Sequence, residues 1–270
     1  MASSRRTESC SASRCWRLCT PADEAARLDG ATAAELKDGL GLPRVELLQS
    51  VGSTMDVAHR LAAAGAPAGT LVIANEQTAG RGRGGKTWQS SPEAGLWLTL
   101  IERPSDTSGL DVLSIRVGLA AAESLDRFAA EPIRLKWPND LYLDRGKLAG
   151  ILVEARWREQ SVEWIAIGMG VNVRRPENVE SAAGLEPGTT RVDVLGELIP
   201  AVRSAACQTG PLDAAELEEF NARDLARGKT CTEPALGRVA GISATGELLV
   251  ALADTVAPFR SGSLVLEDFQ

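Results

Sequence analysis

Gly80-Arg81-Gly82-Arg83-Gly84-Gly85-Lys86-Thr87-Trp88 is the stretch on which the reading of the fold turns. Its glycines let the backbone approach a ligand closely and take positive φ. Arg81, Arg83 and Lys86 add forked and point-charge donors suited to phosphate and carboxylate oxygens. A loop of this make-up holds an anion, and a nucleotide phosphate is the expected one. Gly80, Gly82 and Gly85 fit the dinucleotide fingerprint, while Gly80, Gly85, Lys86 and Thr87 fit the phosphate loop of P-loop nucleotidases. Both patterns need a strand before the loop and a helix straight after it, because the helix N-terminus shares in binding the anion. A strand is predicted at Thr70-Leu71-Val72-Ile73-Ala74-Asn75. After Trp88, however, come Gln89-Ser90-Ser91-Pro92, and Gly95 opens the strand-like run Leu96-Trp97-Leu98-Thr99-Leu100-Ile101. No helix is predicted there, which argues against both nucleotide folds. A plain solvated loop would account for the glycines but not for two arginines and a tryptophan among them.

The 270 residues suffice for one large domain, or for one large and one small. An apolar content of 44% supports a full core. No apolar run is long enough for a membrane span. The formal charge of -7 argues against nucleic-acid binding across the surface, whereas a local basic patch suits a small anionic ligand. The five cysteines (Cys10, Cys15, Cys19, Cys207 and Cys231) are odd in number and form no CxxC pair, as free thiols in a reducing cytosol would be. His59 is the only histidine, so a zinc site is not expected. Its place within a predicted amphipathic helix reads as that of a helix-surface residue.

Residues 1–42 differ from the rest. The first twenty carry Arg5, Arg6, Arg14 and Arg17 against Glu8 alone, with five serines. They show neither an amphipathic helix nor an apolar signal core, and the segment is read as a partly disordered extension with a short helix between 22 and 40. Val45–Leu48 is the first predicted strand. Ser53-Thr54-Met55-Asp56 starts a helix, with serine as N-cap and a carboxylate three residues on, and Gly65 ends it. A long helix is predicted over 108–130. Residues 133–143 and 147–155 form a hairpin about Asp144-Arg145-Gly146. Lys136, Trp137, Asn139, Asp140 and Lys147 cluster at one end of it, and apolar alternation alone would not ask for them. The strand 162–173 follows, with Gly168 and Gly170 marking close backbone approach or a bulge and Asn172 needing a polar partner. Helices are predicted at 190–206 and 213–227, the second with Asp213 and Glu216 as a capping pair. Four short strands after 230 (235–240, 246–252, 254–259 and 262–267) predict a small β-barrel.

With these residues laid out, the chain resembles the biotin–protein ligase family. The matching pieces are Ser53-Thr54, Gln77 to Trp88 with Ser91-Pro92, Lys136-Trp137-Pro138-Asn139-Asp140-Leu141-Tyr142, Lys147 with Ala149-Gly150-Ile151-Leu152 and Glu154, and Gly168-Met169-Gly170-Val171-Asn172-Val173. They stand in the family's order and spacing. The resemblance implies an α+β fold: a mixed β-sheet backed by helices, like the catalytic domain of class II aminoacyl-tRNA synthetases, over 43–229, and an SH3-like barrel over 230–270. It implies two reactions. The carboxylate of biotin attacks the α-phosphate of ATP, giving biotinoyl-AMP and pyrophosphate. A lysine of a biotin carboxyl carrier domain, that of acetyl-CoA carboxylase foremost, then takes the acyl group and releases AMP.

The residues carried over by the resemblance are these. Lys147, Arg83 and Asp140 are the catalytic candidates. Ser53, Thr54, Met55, Gln77, Gly80, Arg81, Gly82, Arg83, Lys147 and Gly150 would bind biotin. Arg81, Arg83, Lys86, Trp88, Lys136, Asn139, Lys147 and Asn172 would bind ATP. Magnesium would arrive with the triphosphate, and no protein metal site is implied. Three positions depart from the family's pattern: Gly84 and Lys86 where arginine is common, and Met55 where asparagine is frequent. No DNA-binding domain precedes residue 43, so a monofunctional cytoplasmic ligase is expected, as monomer or homodimer. The nearest alternative is a lipoyl or octanoyl transferase of the same superfamily, and the alternative from another fold is a P-loop nucleotide-binding protein. A non-enzymatic RNA-binding reading of Arg81-Gly82-Arg83-Gly84-Gly85 lacks both repeats and a basic surface.

Overall fold

A computed structural model describes residues 26–177 and 179–267. The helices are α1 (Ala33–Gly39), α2 (Thr54–Ala63), α3 (Leu113–Leu125), α4 (Arg191–Ala206) and α5 (Ala214–Arg223). The first eight strands are β1 (Arg44–Val51), β2 (Thr70–Arg81), β3 (Thr87–Ser90), β4 (Gly95–Glu102), β5 (Arg134–Lys136), β6 (Asp140–Leu143), β7 (Gly146–Arg158) and β8 (Ser161–Asn172). They build one mixed sheet in the order β1-β2-β4-β8-β7-β6-β5, with β3 folded back onto β2. Only β1 and β2 run parallel; the other pairs are antiparallel. β9 (Thr230–Glu233), β10 (Gly237–Ile242), β11 (Leu248–Ala251), β12 (Val256–Phe259) and β13 (Val265–Leu266) form a second, antiparallel SH3-like sheet.

Strand parity places the site. Successive side chains of a strand point to opposite faces. Leu96, Leu98 and Leu100 of β4, with Ile167, Met169 and Val171 of β8, join the main core, where α3 packs on α4 and on β5–β7. The opposite face carries Val72, Ile101 and Trp164 against Val57, Ala58 and Ala62 of α2. On that face the strand interiors also present Thr99, Gly168, Gly170 and Gly150, which fill little space. Where α2 ends, a cavity therefore opens over the middle of the sheet.

Several elements differ from the sequence reading. The helix expected over 108–130 is α3 flanked by 3₁₀ turns at Leu110–Val112 and Asp126–Phe128. The Asp126 carboxylate accepts the Ile133 amide at 2.8 Å and pairs with Arg223, which turns the chain out of the helix. The strand expected over 133–143 is split into β5 and β6 by Trp137-Pro138-Asn139, where proline cannot donate to the ladder and its peptide bond is cis. The second sheet has a fifth strand, β9, too short and too close to Pro234 to be seen in the sequence. Of the N-terminal extension, residues 1–25 lie outside the described residues. Residues 26–42 pack into the main core through Leu28, Leu36 and Leu42, and α1 starts on a capping box between Thr32 and Glu35. Asp29 also pairs with Arg191, whose charge is buried and bonded to Asn75 as well. Asp213 and Glu216 form the capping box expected of them. No helix among the described residues is long and apolar enough to cross a membrane.

Candidate active site

The cavity has a volume of about 600 Å³ and is walled by α2, β2–β3, β4, β6–β8 and the Gly262–Val265 segment of the second sheet. Its floor is built on glycine. Gly150 pairs with Gly170, and Leu152 with Gly168, across β7 and β8. The Trp88 indole lies on the first pair: a Cβ on Gly150 would come within 2.9 Å of it, and one on Gly170 would overlap it outright. Met55 uses the missing side chain of Gly168 in the same way, its Cε lying 2.6 Å from where a Cβ would stand. The glycines at 168 and 170 thus make room for the Met55 and Trp88 side chains, where the sequence suggested close backbone approach or a bulge.

One end of the cavity is rich in uncharged hydrogen-bonding groups. Gln77 Oε1 accepts the Thr54 amide at 2.9 Å and its hydroxyl at 3.1 Å, and the hydroxyls of Thr54 and Thr99 meet at 2.9 Å. Gln77 Nε2 donates to Ser90 Oγ at 3.1 Å. Ser53 occupies the N-cap position of α2, as expected, but its hydroxyl makes no cap bond and lines the cavity. Asp56, expected to complete that cap, faces Arg81 at 3.4 Å.

The other end is cationic. Lys147 Nζ sits 2.7 Å from Asp140 Oδ1 and 5.3 Å from the centre of the Trp88 ring. Lys136 stands over the Tyr142 ring at 5.7 Å. Burial holds the Lys136 ammonium below the ordinary lysine range, and nearby Asp140 acts the other way. Burial, with the Asp140 charge, pushes the Tyr142 phenol up to about 12. Lys86 and Arg83 overhang this end from the glycine loop, which closes with Gly82 donating to the Lys86 carbonyl at 2.7 Å. Gly84 and Gly85 take φ of +66° and +76°, a region that side chains disfavour, so no helix grows from the loop. Arg83 Nη1 donates to the Gly262 carbonyl at 2.7 Å.

Not every candidate reaches the cavity. Gly80 lies beyond the wall, where a Cβ would come within 2.5 Å of the Trp88 carbonyl, so it sets the β2–β3 approach. Asn172 lies behind Lys147 and donates to its carbonyl at 3.1 Å. Asn139 lines the cavity, but its amide donates to the Ile151 carbonyl at 2.7 Å. Trp137 lines the cavity too, but it is buried and its indole donates to the Gly246 carbonyl at 2.9 Å, pinning the second sheet to the first. His59 is no simple surface residue, since it bonds Glu154 and Trp164. The sequence reading missed Thr99, Ser90 and Gly262–Val265. Thr99 could have been found, as a lone hydroxyl inside an apolar strand. Among the described residues no cluster of three or more His, Cys, Asp or Glu side chains could hold a metal ion.

The arrangement suits a ligand with a polar uncharged head and an anionic tail, held next to cations in a half-enclosed cavity. The Bacillus subtilis protein named "Bifunctional ligase/repressor BirA" is 38% identical over 129 residues, which are 47% of this chain and 40% of that protein. The Mycobacterium tuberculosis "Biotin--[acetyl-CoA-carboxylase] ligase" is 35% identical over 174 residues, 62% of each chain. The chain thus spans less than two thirds of the length of these curated relatives. The solved biotin protein ligase from Aquifex aeolicus, in complex with biotin and ATP, superposes with a TM-score of 0.70 at 25% identity, over 84% of this chain and 99% of that one. Its fold is the α+β arrangement described above. The sequence profile of the Biotin/lipoate A/B protein ligase family matches residues 47–172. Residues 47–172 form a domain of the biotin/lipoate A/B protein ligase family.

Proposed function

We propose that this protein is an ATP-dependent biotin–protein ligase. It joins biotin to a lysine of a biotin carboxyl carrier domain, that of acetyl-CoA carboxylase foremost, through biotinoyl-AMP and with release of pyrophosphate. One observation carries the reading. A single cavity places the uncharged Thr54–Gln77–Thr99 cluster at one end and Lys147, Lys136, Lys86 and Arg83 at the other, over a glycine floor.

The ureido ring of biotin fits the first end, where Ser53, Thr54 and Gln77 supply matched donors and acceptors. Met55 borders it, while Gly82 and Gly150 lie nearer the carboxylate, beside Lys86 and Lys147. A site built to hydrogen-bond such a head rejects analogues lacking it. The carboxylate then points at Lys147. Carboxylate and triphosphate repel each other, and Lys147, Arg83 and Arg81 offset that repulsion in a half-enclosed space. The carboxylate oxygen attacks the α-phosphorus, the bond to the bridging oxygen breaks, and pyrophosphate leaves with the electron pair. Lys136, Lys86 and Trp88 serve the nucleotide. Asn139 and Asn172 act there through the backbone of Ile151 and Lys147. Magnesium travels with the triphosphate, whose oxygens would hold it in place of a protein carboxylate cluster. In the second step the carrier lysine amine attacks the acyl carbon, AMP leaves, and Asp140 takes the amine's proton. Reducing cytosol suits the free Cys207 and Cys231 thiols, and we place the enzyme there.

Exchange of labelled pyrophosphate into ATP tests the reading, with biotin, lipoate and octanoate as separate acids. Exchange with biotin alone supports it. Exchange with lipoate or octanoate moves the substrate to the rest of the superfamily. No exchange by folded protein with any acid overturns the reading.

A further inference from the structure

His59, the only histidine of the sequence, lies on α2 between two partners that fix its protonation pattern. Trp164 Nε1 donates to His59 Nδ1 at 2.9 Å. An indole N–H can only donate, so Nδ1 must offer its lone pair and the proton of the neutral ring must sit on Nε2. Nε2 lies 2.8 Å from Glu154 Oε2 and donates to it. That same carboxylate oxygen accepts Arg81 Nη2 at 3.0 Å. Asp56 also approaches Nη2, at 3.4 Å, so both acids gather at that nitrogen and leave the Nη1 hydrogens for another acceptor.

Arg81 and Glu154 are both partly exposed, with side-chain exposures of 40% and 34%. A pair of that kind holds one geometry poorly by itself. The partly buried indole and imidazole behind Glu154 supply the missing rigidity. We propose that His59 is a positioning residue for the cavity. Locked as the Nε2–H tautomer by Trp164, it anchors Glu154, and Glu154 holds Arg81 by Nη2 so that Nη1 can donate to the anionic part of the acid substrate. The proposal rests on reading the cavity as the biotin-adenylate site.

Two measurements test it. Because the chain has one histidine, ¹⁵N-histidine labelling gives a single imidazole in the NMR spectrum. A pyridine-like Nδ1 and a pyrrole-like Nε2 are expected at neutral pH, with the two signals drawing together in Trp164→Phe. An Nδ1–H tautomer or averaged nitrogens in the wild type overturn the proposal. In biotin-dependent pyrophosphate exchange, His59→Ala raises the KM for biotin about tenfold and leaves kcat within about twofold. His59→Gln, whose amide can accept from Trp164 and donate to Glu154, restores most of the KM. An unchanged KM in His59→Ala, or a loss confined to kcat, overturns the role. If the wild type shows no exchange with biotin, the underlying reading falls and takes this role with it. Exchange by the wild type with an insensitive His59→Ala sinks this role alone.

Discussion

The Arg83 guanidinium donates to the carbonyl of Gly262, 179 residues further along the chain, and so ties the glycine loop to the second sheet. The loop overhangs the cationic end of the cavity, and Gly262–Val265 form the facing wall. Arg83 has two tasks in the proposed cycle, contacting phosphate and keeping this wall closed. Arg83→Ala removes a charge-assisted contact and the tie together. Adenylate still forms, but it dissociates roughly 10- to 100-fold faster. Retention of labelled biotinoyl-AMP through gel filtration measures this, and wild-type retention by the variant would remove Arg83 from the adenylate.

Lys147 has no substitute at its position. Its ammonium sits between Asp140 and the Trp88 ring, and Asn172 fixes its backbone from behind. Lys147→Ala lowers pyrophosphate exchange by at least about 100-fold, while thermal unfolding stays close to wild type because the side chain is a third exposed. Normal exchange by the variant would take the lysine out of the first step.

Lys86 distinguishes this site from a P-loop. In a P-loop nucleotidase the equivalent lysine is indispensable. Here it is an exposed cation at the rim, with no helix beyond it. Lys86→Arg keeps pyrophosphate exchange within about threefold of wild type, since the longer fork serves phosphate at least as well. A near-complete loss would restore the P-loop reading.

The glycine floor is intolerant of even a methyl group. Gly170→Ala drives a Cβ into the Trp88 indole, which must leave its seat on β7 and β8. Overpacking of this kind costs roughly 1–3 kcal/mol. Denaturant unfolding measures that loss, and biotin and ATP binding by calorimetry should weaken with it. Unchanged binding would mean that Trp88 does not help to shape the site.

Stability should carry an acid limb from Glu216. Arg116 is buried, its Nη2 lies 2.9 Å from Glu216 Oε2, and two carbonyls, of Gly210 and Pro211, complete its bonds. The guanidinium, above all, holds the Glu216 carboxyl below the ordinary glutamate range. A depressed carboxylate contributes stability above its unfolded pKa and loses it as pH falls through the folded one. Glu216→Ala therefore costs about 3 kcal/mol at pH 7 by leaving a buried charge unpaired. The gap from wild type narrows as the solution is taken below the ordinary glutamate range. A gap that stays constant with pH would show that the pair is not the cause.

What the sequence made legible follows from where the information sits. The strands on either side of the glycine loop, and the parity that sends Leu96, Leu98 and Leu100 one way and Thr99 the other, are periodic and local. Motif residues such as Thr54, Gln77 and Lys147 could be named because their side chains carry the chemistry. His59 could not be placed, because a helix pattern does not show that Glu154 of β7 runs alongside. Asn139 and Asn172 read as ligand contacts, although their amides serve backbone carbonyls, a use that leaves no trace in the residue type. Gly262 was invisible for a similar reason. Its contribution is a carbonyl oxygen, which every residue has.

The bond from Trp137 to the Gly246 carbonyl also bears on the order in which the molecule is made. It joins positions 109 residues apart, and contacts of such separation form only after the entropy of closing the intervening chain has been overcome. The eight-stranded sheet closes by pairings within residues 44–172, the longest of them between β4 and β8, but the cavity wall at Gly262–Val265 arrives only when the second sheet docks. A half-folded chain thus has the lysine and the glycine floor but an open cavity. Under the proposed chemistry this is a safeguard: a reactive acyl-adenylate has no closed place to form until the whole fold is in place to retain it.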